Sequence, residues 1–208
     1  MKKLRVLVAC EFTGIVRDNF LKLGHDAISC DLLPSEKPGL HYQGNVFDII
    51  NDGFDLMIAH PPCTYLSYAS KKYWNAPGRA EERINALVFF NMLWTAPIKH
   101  ICIENPLGIA DVVIKKHDQI IHPYYFGDAD LKRTCLWLKN LPKLNYILKS
   151  DLFNENTFVQ KPNPIYMDKK GKKRYFTDAG HGGKNRSRSF NGIAYNMAVQ
   201  WSDFLISH

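Results

Sequence analysis

A cysteine and a glutamate follow two strand-like runs in this 208-residue chain. Residues 55–59 are mostly apolar and lead through two prolines to Cys63, and a second run at residues 100–103 ends in Glu104 and Asn105. Open α/β sheets bind ligands at the carboxyl ends of their strands, so these side chains are expected in one crevice. A thiolate is a strong nucleophile and a carboxyl group is a general acid, so the pair predicts covalent chemistry on a heterocycle.

The same residues also have structural interpretations. Most unpaired cysteines are small buried apolar side chains, and Glu104 would suit the first turn of a helix as a capping group. Pro61 and Pro62 rigidify the approach to Cys63, and the Ser67 hydroxyl can bond the backbone of the turn. These neighbours favour the catalytic interpretation of the loop.

Residues suited to a nucleotide follow the first two strand-like runs. Phe12 and Gly14 lie between the first strand and its helix, where a glycine lets the backbone approach a ligand. Asp31 follows the second strand and fits the acidic residue that binds ribose hydroxyls, although turn aspartates are common. The eight histidines form no convincing cluster and the five cysteines contain no Cys-x-x-Cys pair, so no metal site is predicted and the thiols are expected to be reduced.

Strands and helices alternate through the first two thirds of the chain, which predicts a mostly parallel sheet with helices on both faces. Residues 34–44 contain Pro, Ser and Gly, which favour a loop, and residues 45–48 are predicted to form a turn. The predicted strands span residues 4–10, 27–30, 54–59 and 100–103, and the predicted helices span residues 15–23 and 79–95.

The last third predicts an antiparallel hairpin at the sheet edge, a basic segment and a closing helix. A short helix to about Lys116 precedes strands at residues 120–126 and 134–138, which a turn at Gly127 separates. Residues 161–188 hold nine Lys or Arg against two Asp, with a basic turn at residues 169–173. An amphipathic helix is predicted for residues 192–205.

The bulk properties indicate one globular domain, residues 1–208, with an anionic partner. Lys and Arg outnumber Asp and Glu by 27 to 20, giving a formal net charge of +7, which suits nucleic acid or nucleotide as well as general solubility. No stretch has the length of a membrane span and no signal peptide is recognisable, so the protein is expected in the cytoplasm. Nothing indicates an obligate protein partner.

Taken in order, these pieces resemble the S-adenosylmethionine-dependent cytosine C5 methyltransferases. Phe12 and Gly14 match the first motif of that family, Asp31 its acidic residue after the second strand, and residues 44–46 its Gly-Asp-Ile motif. Pro62-Cys63 with Ser67 matches the nucleophile loop. The remaining matches are Glu104-Asn105 to the Glu-Asn-Val motif, residues 126–134 to the Phe-Gly and Gln-x-Arg-x-Arg region, and residues 191–198 to the closing motif.

The chain also departs from the family pattern. Val16 and Arg17 replace glycines of the cofactor loop, Asn45 replaces an Asp, Thr64 replaces a Gln and Pro106 replaces a Val. About forty residues separate Pro142 from the closing segment, too few for the large target-recognition domain of restriction-modification enzymes. Small phage and prophage members of the group look similar in the tail at residues 186–201.

The resemblance implies a Rossmann-like methyltransferase fold and transfer of a methyl group from S-adenosylmethionine to carbon 5 of cytosine. Cys63 would attack carbon 6 of the ring and Glu104 would hold ring nitrogen 3, for which the pKa of Cys63 should be depressed and that of Glu104 raised. The implied catalytic residues are Cys63, Glu104, Asn105, Lys132 and Arg133. The implied cofactor residues are Phe12, Gly14, Asp31, Asn45, Pro61 and Asn191. The implied substrate or DNA contacts are Pro62, Ser67, Lys170, Lys172, Lys173, Arg174, Arg186 and Arg188.

Other functions remain open from the sequence. The partner is DNA or a free deoxycytidine nucleotide, and the nucleotide would explain the missing recognition domain. His60-Pro61-Pro62 also echoes the loop of amino-group methyltransferases, whose chemistry needs no thiol. A non-catalytic protein that binds nucleotide or DNA is a third alternative, favoured by the altered glycine loop.

Overall fold

The computed structural model describes residues 2–146, 161–175 and 188–208, and Arg186 and the rest of the basic segment at residues 176–187 lie outside this part. The long helices are α1, Ile15–Lys22, α2, Arg79–Trp94, and α4, Asn191–Ser207, and a short α3 spans Ala110–Val113. The strands are β1 Arg5–Ala9, β2 Asp26–Asp31, β3 His41–Gln43, β4 Leu56–Ala59, β5 His100–Asn105, β6 Gln119–Ile121, β7 Thr134–Lys139, β8 Tyr166–Met167 and β9 Lys173–Arg174.

The first seven strands form one mixed sheet in the order β3-β2-β1-β4-β5-β7-β6. The five strands from β3 to β5 are parallel, whereas β7 runs antiparallel to both β5 and β6. This is the Rossmann-like arrangement of an α/β protein, with the strand order reversing between β1 and β4. The predicted fold class and the predicted antiparallel hairpin at the edge are confirmed.

Two apolar layers hold helices against the two faces of the sheet. Alternate side chains of the buried strands point to opposite faces, so Val6 and Val8 pack with α1 and α4, whereas Leu7 and Ala9 pack with α2. Trp201 of α4 and Trp137 of β7 are fully buried in the respective layers. The sheet is therefore a rigid platform whose loops are free to carry function.

Three predicted elements are wrong in detail. Residues 41–43, predicted as loop, form the edge strand β3, which pairs with β2. The strand predicted for residues 120–126 is confined to Gln119–Ile121, and Pro123–Phe126 form a 3₁₀ helix, because Pro123 lacks the N–H that a ladder needs and fits a helical first turn. The strand predicted for residues 100–103 extends through Glu104 and Asn105, which pair with Leu136 and Cys135.

The basic segment contains a two-stranded hairpin in its described part. Strands β8 and β9 pair across a turn in which Gly171 has a φ of 73°. Asp168 closes the turn by accepting the backbone N–H groups of Lys170 and Lys172, both at 2.9 Å. The predicted basic turn at residues 169–173 is confirmed as a hairpin turn.

All five cysteines lie in the described ranges and none is in a disulfide, as predicted. Across those same ranges, no helix is both long enough and apolar enough to cross a bilayer.

Candidate active site

The carboxyl ends of β1, β2, β4 and β5 meet at one edge of the sheet, beside the point where the strand order reverses. Thr134 lies at this edge as well, because β7 is antiparallel and begins there. Cys10, directly after β1, has a φ of 58°, a left-handed conformation that non-glycine residues rarely adopt and that often marks functional loops. This edge is the ligand-binding crevice expected of the fold.

A cleft of about 750 Å³ opens at this edge and brings the two key residues together. Cys63 enters it from the loop after β4, and Glu104 enters it from the neighbouring strand β5. Cys63 is exposed rather than buried in apolar packing. The cleft is also lined by His60, Pro61, Pro62, Ser67, Asn105, Lys132 and Arg133.

The loop that carries Cys63 folds back on the Cys63 carbonyl. That oxygen accepts the N–H groups of Leu66, at 3.1 Å, and Ser67, at 2.9 Å. The Ser67 hydroxyl then accepts the Ala69 N–H at 3.2 Å and caps a 3₁₀ helix, Tyr68–Tyr73. Ser67 therefore bonds the turn backbone, as predicted, and a tight local turn presents the thiol.

The last residue of β5 and the segment that follows it hold this loop by hydrogen bonds. The buried Asn105 donates its side-chain N–H to the Pro61 carbonyl at 2.7 Å. Further along, Ile109 donates to the Leu66 carbonyl at 2.9 Å, and a Cβ on Gly108 would lie 2.1 Å from that carbonyl oxygen. Asn105 thus positions the nucleophile loop, and Gly108 permits the close approach of the two segments.

Glu104 is held by hydrogen bonds to both carboxylate oxygens. His60 Nδ1 lies 3.1 Å from Oε2, and the Thr134 hydroxyl donates to Oε1. Burial alone would raise the pKa of Glu104, but the bond from His60, the charge of Lys132 and the bond from Thr134 outweigh it and lower this pKa to about 2. The expected raised pKa is therefore wrong, and the capping interpretation does not apply because Glu104 lies within a strand.

Lys132 and Arg133 line the cleft beside Glu104. The positive charge of Lys132 acts on Glu104, whose ionised form it stabilises. Assistance from either residue in lowering the pKa of Cys63 stays a prediction.

A second cavity, of about 380 Å³, adjoins the cleft and shares Cys10, Asp31 and Pro62 with it. Its walls include the apolar side chains of Val46, Ala86 and Phe89, and its polar groups include Asp31 and Asn45. Apolar walls with a few polar groups suit a nucleoside, and a carboxylate at the end of β2 suits ribose hydroxyls. The residues present therefore fit the adenosine part of S-adenosylmethionine.

The predicted cofactor residues do not all line the same cavity. Asp31 and Asn45 line the second cavity, and each also makes a local bond, Asp31 to the Leu33 N–H and Asn45 to the Phe47 N–H. Phe12 and Pro61 line the main cleft instead. Asn191, which accepts the Asn19 side-chain N–H at 3.2 Å, is not among the residues that line either cavity.

Gly14 has a structural explanation that requires no ligand. Its φ is 68°, and a Cβ there would lie 2.5 Å from the guanidinium of Arg17. Arg17 is fully buried, and it donates to Asp18, to Ser29 and to the carbonyl oxygens of Pro38 and Leu40. The space that a glycine leaves at this turn is thus occupied by Arg17.

Apart from Arg186, which lies outside the described ranges, the predicted DNA contacts lie on the hairpin and near the cleft. Lys170, Lys172 and Lys173 are exposed, whereas Arg174 donates to the Asp168 carboxylate at 2.6 Å. Arg188, at the start of the last described range, pairs with Glu36 at 2.7 Å. Among the described residues, no group of three His, Cys, Asp or Glu side chains is placed to hold a metal ion.

Three residues of the site were not among the predicted catalytic, cofactor or substrate residues. His60 and Thr134 bond to Glu104, and Tyr175, directly after β9, lines the cleft. The place of His60 beside the nucleophile loop in sequence predicts a structural or substrate-positioning role, and no sequence signal predicts its bond to Glu104. The contacts of Thr134 and Tyr175 depend on the antiparallel pairing of β7 and on the position of the hairpin.

No family model matches the chain, and no curated protein matches it. Among solved structures, the chain is similar to the Entamoeba histolytica methyltransferase EhMeth, with 19% identity and a TM-score of 0.44 over 81% of this chain and 61% of that one. It is also similar to the S. pombe Dnmt2 methyltransferase, with 17% identity and a TM-score of 0.45 over 76% and 58% of the two chains. The chain thus spans about three-fifths of the length of these two structures.

Proposed function

We propose that this protein is an S-adenosylmethionine-dependent methyltransferase that acts on carbon 5 of cytosine in DNA through a covalent adduct with Cys63. The observation that carries the proposal is the shared cleft of an exposed thiol and a hydrogen-bonded carboxylate, which two neighbouring parallel strands present. A nucleoside-sized cavity joins this cleft through Asp31 and Pro62. A thiol, a carboxylate and a cavity of nucleoside size at one sheet edge support this proposal.

The cofactor is assigned to the second cavity from the chemistry of its lining. Val46 and Phe89 offer apolar surface to a purine, and Asp31 offers a carboxylate to ribose hydroxyls. When bound, S-adenosylmethionine supplies an electrophilic methyl group. The junction at Pro62 places this cavity next to the loop that carries Cys63.

The residues of the cleft then perform the covalent chemistry. The Cys63 thiolate forms a bond to carbon 6 of the cytosine ring, and the electrons of the carbon 5–carbon 6 double bond move into the ring. Glu104 holds a proton at ring nitrogen 3, which limits the negative charge that builds there. Carbon 5 becomes the nucleophilic atom, and after it has gained the methyl group and lost its proton to a base, the Cys63–carbon 6 bond breaks.

The test is methyl transfer from labelled S-adenosylmethionine to duplex DNA and, in parallel, to deoxycytidine monophosphate. We expect label in DNA with the wild type, and a loss of at least about 10³-fold in Cys63→Ala, because the chemistry depends on the thiol. Cys135→Ala is the matched control, since Cys135 is buried in β7 and away from the cleft lining.

Each alternative function gives a different result in this assay. Label in the monophosphate alone contradicts DNA as the substrate. Undiminished transfer by Cys63→Ala contradicts the covalent mechanism and favours transfer to an amino group. Calorimetry that detects no binding of the cofactor or of its demethylated product contradicts an enzyme of this class and favours a binding protein.

A further inference from the structure

His60 has no role in the chemistry described so far, yet it is one of the two side chains that bond to Glu104. It directly follows β4, and its Nδ1 lies 3.1 Å from Glu104 Oε2. The two side chains are only 11% and 17% exposed. A largely buried histidine that contacts a catalytic carboxyl group is a candidate to exchange a proton with that group.

The site needs such a partner because Glu104 is held in its ionised form. Burial opposes ionisation, but the bonds from His60 and Thr134 and the charge of Lys132 lower the pKa of the carboxyl to about 2. An ionised carboxylate accepts hydrogen bonds and has no proton to donate. For Glu104 to donate to ring nitrogen 3, a proton must first reach it.

Other charged groups surround the pair, and the arginines among them cannot supply that proton. Lys132 and Arg188 line the small cavity beside His60 and Glu104, and Asp130 and Arg133 line the main cleft. Arg188 is bonded to Glu36, and guanidinium groups do not release protons in proteins. Imidazole exchanges a proton near neutral pH, and His60 is in direct contact with the carboxylate.

The second ring nitrogen of His60 favours delivery of the proton once the cleft is filled. Nε2 is buried and has no hydrogen-bond partner among the described residues. An N–H at this atom has no acceptor in either state, but it is more costly to leave unpaired on a charged imidazolium than on a neutral imidazole, and removal of water makes the charge pair more costly still. A base that fills the cleft would therefore shift the pair from imidazolium and carboxylate toward imidazole and carboxylic acid.

We propose that His60 stores the proton that Glu104 delivers to the pyrimidine, an inference that rests on the proposed function. When the base fills the cleft, the Nδ1 proton of the His60 imidazolium passes to Glu104, and His60 becomes neutral and keeps its Nε2 proton. As the Cys63 sulfur then bonds to carbon 6, that same proton passes from Glu104 to ring nitrogen 3. When the Cys63–carbon 6 bond breaks, ring nitrogen 3 returns its proton to Glu104, and Glu104 returns it to Nδ1 of His60. Both side chains then have their starting protonation states. His60 is thus a positioning residue that also holds the proton for Glu104.

The test uses His60→Asn, because an Asn side chain can keep an N–H donor toward Glu104 but cannot carry an extra proton. The measurement is the rate of adduct formation with a duplex that contains 5-fluorocytosine, between pH 5 and pH 9. The wild-type rate should rise with pH as Cys63 ionises and then fall as the proton of the pair is lost. His60→Asn should be at least about tenfold slower near neutral pH, should lack the alkaline fall, and should keep the wild-type KM for DNA.

The matched control is His117→Asn. His117 also bonds a carboxylate, Asp111, at similar exposure, 14% and 17%, and it is not among the residues that line the cleft. This variant should keep the wild-type rate and pH profile. A further variant, His60→Gly, should be rescued by added imidazoles at rates that follow their basicity.

The outcomes separate this inference from the proposed function. An adduct in the wild type with a similar rate and pH profile in His60→Asn overturns the role of His60. A wild-type profile without an alkaline fall overturns it too, and this measurement does not depend on the folding of any variant. Failure of the wild type to form an adduct at any pH overturns the proposed function itself.

Discussion

At the scale of single residues, Glu104 shows how neighbours decide the state of a catalytic group. Burial alone raises the pKa of a carboxyl group and favours its protonated form, which is the form that the proposed reaction needs. Thr134 and His60 bond its two oxygens and Lys132 adds a positive charge, so the carboxylate is stabilised instead. The acid function of Glu104 therefore depends on a proton that arrives from its surroundings.

The lowered pKa of Glu104 predicts a pH-dependent contribution to stability. The pKa is about 2 in the folded protein, against an ordinary value of 4.5 for a glutamate, so the folded state binds fewer protons than the unfolded state between these pH values. The stabilisation from ionised Glu104 is complete when the pH is above the unfolded-state pKa. It is lost as the pH falls toward the folded-state pKa. The measurement is the free energy of unfolding in urea at pH 6 and at pH 2. Between these pH values we expect it to fall by on the order of 1–3 kcal/mol more in the wild type than in Glu104→Gln. Parallel losses in the two proteins would contradict this assignment.

At the scale of elements, the nucleophile loop depends on the segment that follows β5. The Ile109 N–H bonds to the Leu66 carbonyl, and Gly108 lies against that carbonyl with no room for a Cβ. Because both contacts involve backbone atoms, they cannot be relieved by a change of side-chain rotamer. The position of Cys63 is therefore coupled to the end of the neighbouring strand.

This coupling predicts a large effect of a small substitution. Gly108→Ala places a Cβ 2.1 Å from the Leu66 oxygen, so the free energy of unfolding should fall by more than about 2 kcal/mol and adduct formation should slow. Gly78→Ala is the matched control, because Gly78 has a φ of 76° but no atom within 4 Å of its Cβ position, so only about 1 kcal/mol of backbone strain is expected. Equal losses of stability in thermal or urea unfolding would contradict the coupling.

Elements with a strong apolar pattern could be predicted from the sequence, and contacts between distant elements could not. The runs that became β1, β4 and β5 are continuously apolar, so their burial is evident from composition alone. Strand β3 reads His-Tyr-Gln, and its pairing with β2 rather than its own pattern makes it a strand. The shared edge of Cys63 and Glu104 followed from the parallel topology. The bond between His60 and Glu104 was not predictable, because it depends on rotamers of side chains 44 residues apart.

At the scale of the whole molecule, the net positive charge favours the binding of DNA that the proposed function requires. The net charge is +7, and Lys170, Lys172 and Lys173 are exposed on the hairpin from β8 to β9. Tyr175, just beyond this hairpin, lines the cleft, so the lysines lie close along the chain to the proposed site. Contacts of lysines with phosphate groups add affinity without sequence preference.

Removal of these lysines should weaken DNA binding in a salt-dependent manner. For the triple substitution of Lys170, Lys172 and Lys173 by Ala, we expect the slope of log K against log salt concentration to become shallower by up to about 3, since each phosphate contact contributes about 0.9. The matched control replaces Lys2, Lys3 and Lys99, which precede β1 and β5 at the opposite edge of the sheet. Equal slopes for the two triple variants would show that the hairpin makes no specific contribution.

The most direct test of the central claim is identification of the atom that bonds to the pyrimidine. The wild-type protein is incubated with S-adenosylmethionine and a duplex containing 5-fluorocytosine, digested, and analysed by mass spectrometry. We predict one nucleotide-modified peptide, with the modification on the Cys63 sulfur, and its absence in Cys63→Ala. Methyl transfer to ordinary DNA without any such peptide, or modification of a different cysteine, would contradict the account.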